Sequence, residues 1–149
     1  HVFPSKTELL VHATELVGQR AWVRIQRHLD EPEPRALVLS VVEELLPLDD
    51  ERRLEMEVTV ALIAEAPGND KVREVLDESY EVVREVCRRL VIRLRRAGLT
   101  APDLDIEAET TALHGLVDGL SIHLLINPDP GFRRQALRMI EAGIDRLRP

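Results

Sequence analysis

The sequence predicts an all-α protein, a bundle of about six helices. Three observations carry that prediction. Apolar residues recur at three- and four-residue spacing along nearly the whole chain. Clusters of Pro, Gly, Asn and Asp interrupt the pattern at intervals. No stretch shows the period-two alternation of a half-buried strand.

The first helix should start at Ser5, because Ser5-Lys6-Thr7-Glu8 reads as a capping box, with Phe3 and Leu9 placed to form a hydrophobic staple. Its apolar positions are Leu9, Leu10, Ala13, Leu16, Val17, Ala21, Ile25 and Leu29, and Pro32 and Pro34 end it. A second, short helix opens on Pro34, which suits a first turn, and closes before Pro47. Asp49 or Asp50 caps a third helix that reaches about Ala66, and Pro67-Gly68-Asn69-Asp70 is a turn. The fourth helix is long, from about Asp70 to Ala97. Its inner stripe is Val72, Val75, Leu76, Ser79, Val83, Val86, Leu90 and Leu94, and Gly98 stands at its C-cap. Asp105 caps a fifth helix reaching about Ile126, Asn127-Pro128-Asp129-Pro130-Gly131 breaks the chain, and a sixth helix runs to about Leu147.

A chain of 149 residues, 44% hydrophobic and 32% charged, can bury a core without disulfides or metals. The single cysteine, Cys87, excludes an internal disulfide and points to a reducing compartment. No apolar run reaches membrane-spanning length and no signal peptide is legible, so a cytoplasmic location without a membrane partner is expected. The formal charge of −7 argues against nucleic-acid binding by this chain alone. Arg88, Arg89, Arg93, Arg95 and Arg96 do cluster, but Glu81 and Glu85 precede them on the same helix, as on a solvated, salt-bridged face.

Catalytic signatures are missing. There is no zincin motif, no Cys-rich metal spacing, no Gly-rich phosphate loop and no nucleophile elbow. The Glu-x-x-His pairs of a di-iron bundle are absent as well. Neither enzyme activity nor a cofactor is expected.

Binding features are present instead. The fifth helix carries Ala108, Ala112, Gly115 and Gly119 on one face, with Ile122 following. Glycine weakens a helix by roughly 1 kcal/mol relative to alanine, so two glycines four apart point to a close approach by another helix, of this chain or of a second copy. The sixth helix is apolar on more than one side, with Phe132, Ala136, Met139, Ile140, Gly143, Ile144 and Leu147. Two such helices from each of two chains would build a two-fold four-helix interface. For a small-molecule pocket, the candidates are Thr110, His114, Asp118 and Ser121 on one side of the fifth helix, and Tyr80, Arg84 and Cys87 along the fourth. Trp22 and Gln26 of the first helix and Met56, Thr59 and Ile63 of the third complete them. Were these sides to converge, they would line a mainly apolar cavity suited to a small hydrophobic or amphipathic compound. Plainer roles exist for each: His114 and Asp118 bonded to each other, Trp22 and Tyr80 as core, Cys87 as a buried small residue.

The opening decapeptide, with Phe3, Ser5, Lys6, Leu9 and Leu10, resembles the segment of TetR-family transcription factors in which an aromatic residue, a turn and a Ser-Lys pair follow the DNA-recognition helix. Leu116-Val117-Asp118-Gly119-Leu120 is similar to that family's dimerisation helix. The resemblance implies that residues 1–29 are the tail of the recognition helix and the connecting helix. It makes residues 30–149 a ligand-binding and dimerisation domain, a homodimer closed by the last two helices. It implies an effector domain of a bacterial repressor, in which ligand binding tilts the first helix and releases operator DNA. The family's three-helix DNA-reading head would precede Phe3, so operator contact is expected only through that head, with Lys6 near a DNA phosphate in the intact protein. The competing expectation is a ligand-free helical dimerisation or adaptor module.

Overall fold

The computed structural model describes residues 5–149, and within them the chain forms six helices and no strand. They are α1 (Lys6–Gln26), α2 (Pro34–Glu44), α3 (Asp50–Glu65), α4 (Asp70–Arg96), α5 (Ile106–Ile126) and α6 (Pro130–Asp145). Phe3, and with it the staple to Leu9, lies outside the described residues.

The helix starts follow the capping chemistry of the sequence. The Ser5 hydroxyl accepts from the Glu8 amide at 3.1 Å, and Glu8 accepts from the Ser5 amide at 3.2 Å, which completes the capping box. Asp49, Asn69, Asp105 and Asp129 cap α3 to α6 through their side chains, and Glu33 does so for α2 ahead of Pro34. Gly68 and Gly98 take φ of +74° and +73°, where any side chain would be strained. The first helix is shorter than its apolar pattern implied: it gives way at Arg27 to a turn over residues 27–30, and Leu29 is half exposed.

Two apolar clusters form. The larger joins Leu37, Val38, Val41 and Val42 of α2 to Leu90, Val91 and Leu94 of α4, Val117 and Leu124 of α5, and Ala136, Ile140 and Ile144 of α6. The smaller joins Leu62 and Ala66 to Val72 and Val75, with Leu10 and Val11 of α1 packed against it. The inner side of α4 is rotated slightly from its expected stripe: Cys87 and Val91 are fully buried, while Val83 and Val86 are only partly so. α1 and α3 contribute little hydrocarbon. Ile25 is the one buried residue of α1, and those of α3 are Glu55 and Leu62. Leu9 and Leu16, expected on the inner side of α1, are exposed.

Candidate functional site

α4 and α5 pack along their length and bring together most of the polar residues expected there. His114 is buried, and its ring lies 4.9 Å from that of Tyr80, centroid to centroid. His114 Nε2 stands 3.4 Å from an oxygen of Asp118, one helical turn on. Partial enclosure against α4 pushes Asp118 above the usual aspartate value, while the charge of a protonated His114 pulls it back. Cys87 is fully buried beside them. Burial, aided by the negative charge of Asp118 and opposed by Arg84, pushes its thiol up to about 12, so it stays protonated and unreactive at neutral pH. Thr110 is also fully buried, and among the described residues its hydroxyl has no hydrogen-bond partner. Ser121 is buried one turn beyond Val117. Arg84 turns to the rim, donating to Thr111 Oγ1 at 3.0 Å and to Glu107 at 3.2 Å.

The rest of the expected lining does not join this cluster. Trp22 and Ile63 are half exposed and Gln26 is exposed. Met56 and Thr59 are half buried, and the Thr59 hydroxyl donates to the Glu55 carbonyl oxygen within its own helix. The reason is the rotation of α1. Ile25 and Arg24 occupy its inner side, and Trp22 falls more than a quarter-turn away. Two hollows lie elsewhere. A groove of about 390 Å3 runs between Leu16, Arg20, Val23 and Arg27 of α1 and Glu51 of α3. A smaller one of about 60 Å3 sits between Pro47, Arg53, Leu124 and Arg133.

The expected dimer residues divide by helix. On α5, Ala108, Ala112, Gly115, Gly119 and Ile122 are all exposed. Among the described residues, a β-carbon at Gly115 or Gly119 would meet nothing within 4 Å, so no described neighbour requires either glycine. Ile126 is 77% exposed on the same face. On α6 the expectation needs correction. Ala136, Ile140 and Leu147 are buried in the chain's own core, and Phe132 packs against it. Gly143 serves the α5–α6 contact, since a β-carbon there would come within 2.9 Å of Leu116 Cδ2. The hydrocarbon of α6 is consumed within the chain, leaving Met139, 46% exposed, as its main outward apolar residue.

Sequence reasoning missed a polar cluster at the C-terminal end of α1. Arg24 donates to both carboxylate oxygens of Glu55 at 2.7 Å each and to Glu44 at 2.9 Å. Glu44 also lies 3.0 Å from His28 Nε2. The signal available was Glu55, a carboxylate at an inward position of α3. At the other end of α1, Lys6 is exposed and pairs with Glu65, and the Asn69 amide donates to Thr7 Oγ1 at 2.9 Å. Among the described residues, no group of three or more His, Cys, Asp or Glu is placed to hold a metal ion, and no helix is long and apolar enough to cross a membrane.

Known proteins place this architecture. The family model of BetI-type transcriptional repressors, C-terminal, matches residues 34–149. The HTH-type transcriptional regulator PksA of Bacillus subtilis (strain 168) is 30% identical over 129 residues, 86% of this chain and 62% of that protein. This chain therefore spans less than two thirds of that relative's length. A transcriptional regulator from Rhodococcus sp. Rha1 superposes with a TM-score of 0.76 at 22% identity, over 97% of this chain and 74% of that one. A TetR transcription regulator from Haloarcula marismortui ATCC 43049 gives 0.78 at 19% identity, over 99% and 81%. These last two likenesses speak for the fold. The family-model match over α2 to α6 establishes that the chain belongs to the BetI-type C-terminal family of TetR transcriptional regulators.

Proposed function

We propose that this chain is the effector-binding and dimerisation part of a cytoplasmic repressor, working as a homodimer whose α1 helices carry DNA-reading heads in the intact protein. The observation that carries the reading is the outward face of α5. Ala112, Gly115, Gly119, Ile122 and Ile126 form an exposed stripe of small and apolar residues, with glycines that no described neighbour calls for. A second copy meeting that stripe about a two-fold axis would bury it and set the separation of the two α1 helices. α6 joins the seam through Met139 rather than through its buried stripe. In this reading residues 1–29 connect to DNA, with Lys6 facing a phosphate, and residues 30–149 receive the effector.

For the effector, the α4–α5 cluster is the entry. The Tyr80 ring is half exposed over buried His114, and the Thr110 hydroxyl behind it lacks a partner among the described residues. A small amphipathic compound that parts Tyr80 from His114 would meet both groups. Its binding would shift α4 against α1 and so weaken operator binding. The ligand-free dimerisation or adaptor reading draws on one observation: the two hollows described above lie away from this cluster.

Sedimentation velocity tests the dimer. The chain should sediment at twice its 16.9 kDa mass, and Gly119→Arg should halve that mass while leaving the helical far-UV dichroism unchanged, because the substituted position opens on empty space. A wild-type chain that stays single at high concentration would refute the assembly.

A further inference from the structure

We infer that the first two turns of α3 form a polar hub that fixes α1 relative to the C-terminal end of α5, with Arg24 and Arg53 as the positioning residues. Three helices deliver their last turns to this hub. Arg52 Nη1 donates to the Glu43 carbonyl of α2 at 2.8 Å. Arg53 donates to the Leu124 and Leu125 carbonyls of α5 at 3.2 and 2.7 Å. Glu55 receives both guanidinium nitrogens of Arg24, from the last turn of α1.

The chemistry suits a fixed joint. The final carbonyls of a helix lack intrahelical partners and carry its negative dipole end, so a guanidinium fork can hold two of them at once. The α1 side of the hub is also largely withdrawn from water, while Arg53, on the α5 side, is 32% exposed. Side-chain exposure is 12% for Arg24, 11% for Glu55, and 17% for both Glu44 and Arg52. A charge so placed tolerates little displacement, because a partner that moves away leaves its counterpart buried and unpaired.

The topology gives the joint its purpose. α1 packs mainly on α2, α3 and α4, while α5 packs on α3, α4 and α6. Only α3 and α4 therefore lie between α1 and the dimer-facing helix. α4 meets α5 through apolar contact in the core and, near the N-terminal end of α5 and away from the hub, through directed bonds from Arg84 to Thr111 and Glu107 and from Arg88 to Glu107. α3 meets α1 and α5 through directed bonds that fix angle and register. A tilt of α1 is thereby transmitted through Glu55 and Arg53, two positions apart, to the end of α5. The use of this link in regulation rests on the function proposed above; the link itself needs neither DNA nor effector.

Hydrogen exchange read by mass spectrometry on the chain alone tests it. Arg53→Met should raise exchange several-fold not only in the last turn of α5 but also over residues 23–28 of α1. Arg24→Met should do the reverse, reaching residues 122–127. Arg35→Met is the control. It breaks a comparable two-point pair, Arg35 to Asp145 at 2.8 and 2.9 Å, which joins α2 to α6 away from the hub, and it should leave both segments unchanged. Should either methionine variant fail to fold by far-UV dichroism, its lysine counterpart keeps the charge without the fork, and a smaller rise in the same remote segment is expected. Exchange raised only beside each substituted residue would overturn the inference. So would an Arg35→Met variant that loosens α1 and α5 to the same extent.

Discussion

Along α5, Leu113, Val117 and Leu124 sink into the core, and Ala136, Ile140 and Ile144 answer them from α6. Along α1 only Ile25 is comparably buried, and α3 places Glu55 where an apolar residue would be expected. One region is held by hydrocarbon, whose attraction grows with area and tolerates repacking. The other is seated by a few charged contacts that are strong when complete and costly when broken. A regulator gains from that division. Under the proposed function, the region held by hydrocarbon stays firm, while the helix expected to carry the DNA-reading head is set by contacts with discrete arrangements.

Substitutions break the comparison at graded cost. Arg24→Met strands Glu55 in a largely buried site, while Glu44 keeps His28 and Arg52, and should destabilise the chain by about 3 kcal/mol in urea titration. Ile140→Ala should cost about 3 kcal/mol by leaving a cavity between α5 and α6, yet leave the fluorescence of Trp22 on α1 unchanged while the protein is folded. Thr110→Val should run the other way, adding about 1 kcal/mol by removing a buried hydroxyl that finds no partner among the described residues. Under the proposed function the same substitution lowers effector affinity, so a thermal shift measured with and without ligand separates the two effects.

Much of this was legible in the sequence. Helix number and order follow from Ser5, Asp49, Asn69, Asp105 and the proline breaks, because capping is local chemistry. That Thr110, His114 and Asp118 share one side of α5, and Tyr80 and Cys87 one side of α4, also followed from three- and four-residue spacing, whereas the meeting of those two sides was only a condition. The rotation of each helix about its axis was harder to read. α6 is apolar over a wide arc, and periodicity cannot say which part faces the chain's own core, so Ala136, Ile140 and Leu147 were assigned to a subunit seam. Trp22 and Ile63 went astray for the same reason: a large apolar residue at the margin of a stripe falls inside or outside on a small rotation. The Arg24 hub spans residues 31 apart in sequence, and ion pairs at that distance leave no local pattern.

Acid sharpens the contrast because Glu44 and Asp118, one in each region, respond with opposite sign. Burial opposes ionisation of Glu44, but the His28 hydrogen bond and the charges of Arg52 and Arg24 outweigh it and hold its carboxyl below the ordinary value of 4.5. The hydrogen bonds from Arg52 likewise hold Asp49 below 3.8. Groups lowered in this way add stability above their unfolded values and lose it as pH falls through their folded ones. Asp118, raised by enclosure, does the reverse, and its protonation favours the α4–α5 contact as pH falls. The most direct measurement follows both regions in one acid titration, with Trp22 emission reporting α1 and far-UV ellipticity reporting all six helices. Charge-seated α1 predicts that the Trp22 transition comes first, as pH falls through the lowered folded values of Glu44 and Asp49, while most ellipticity persists. Coincident transitions, or ellipticity lost before Trp22 responds, would contradict the division.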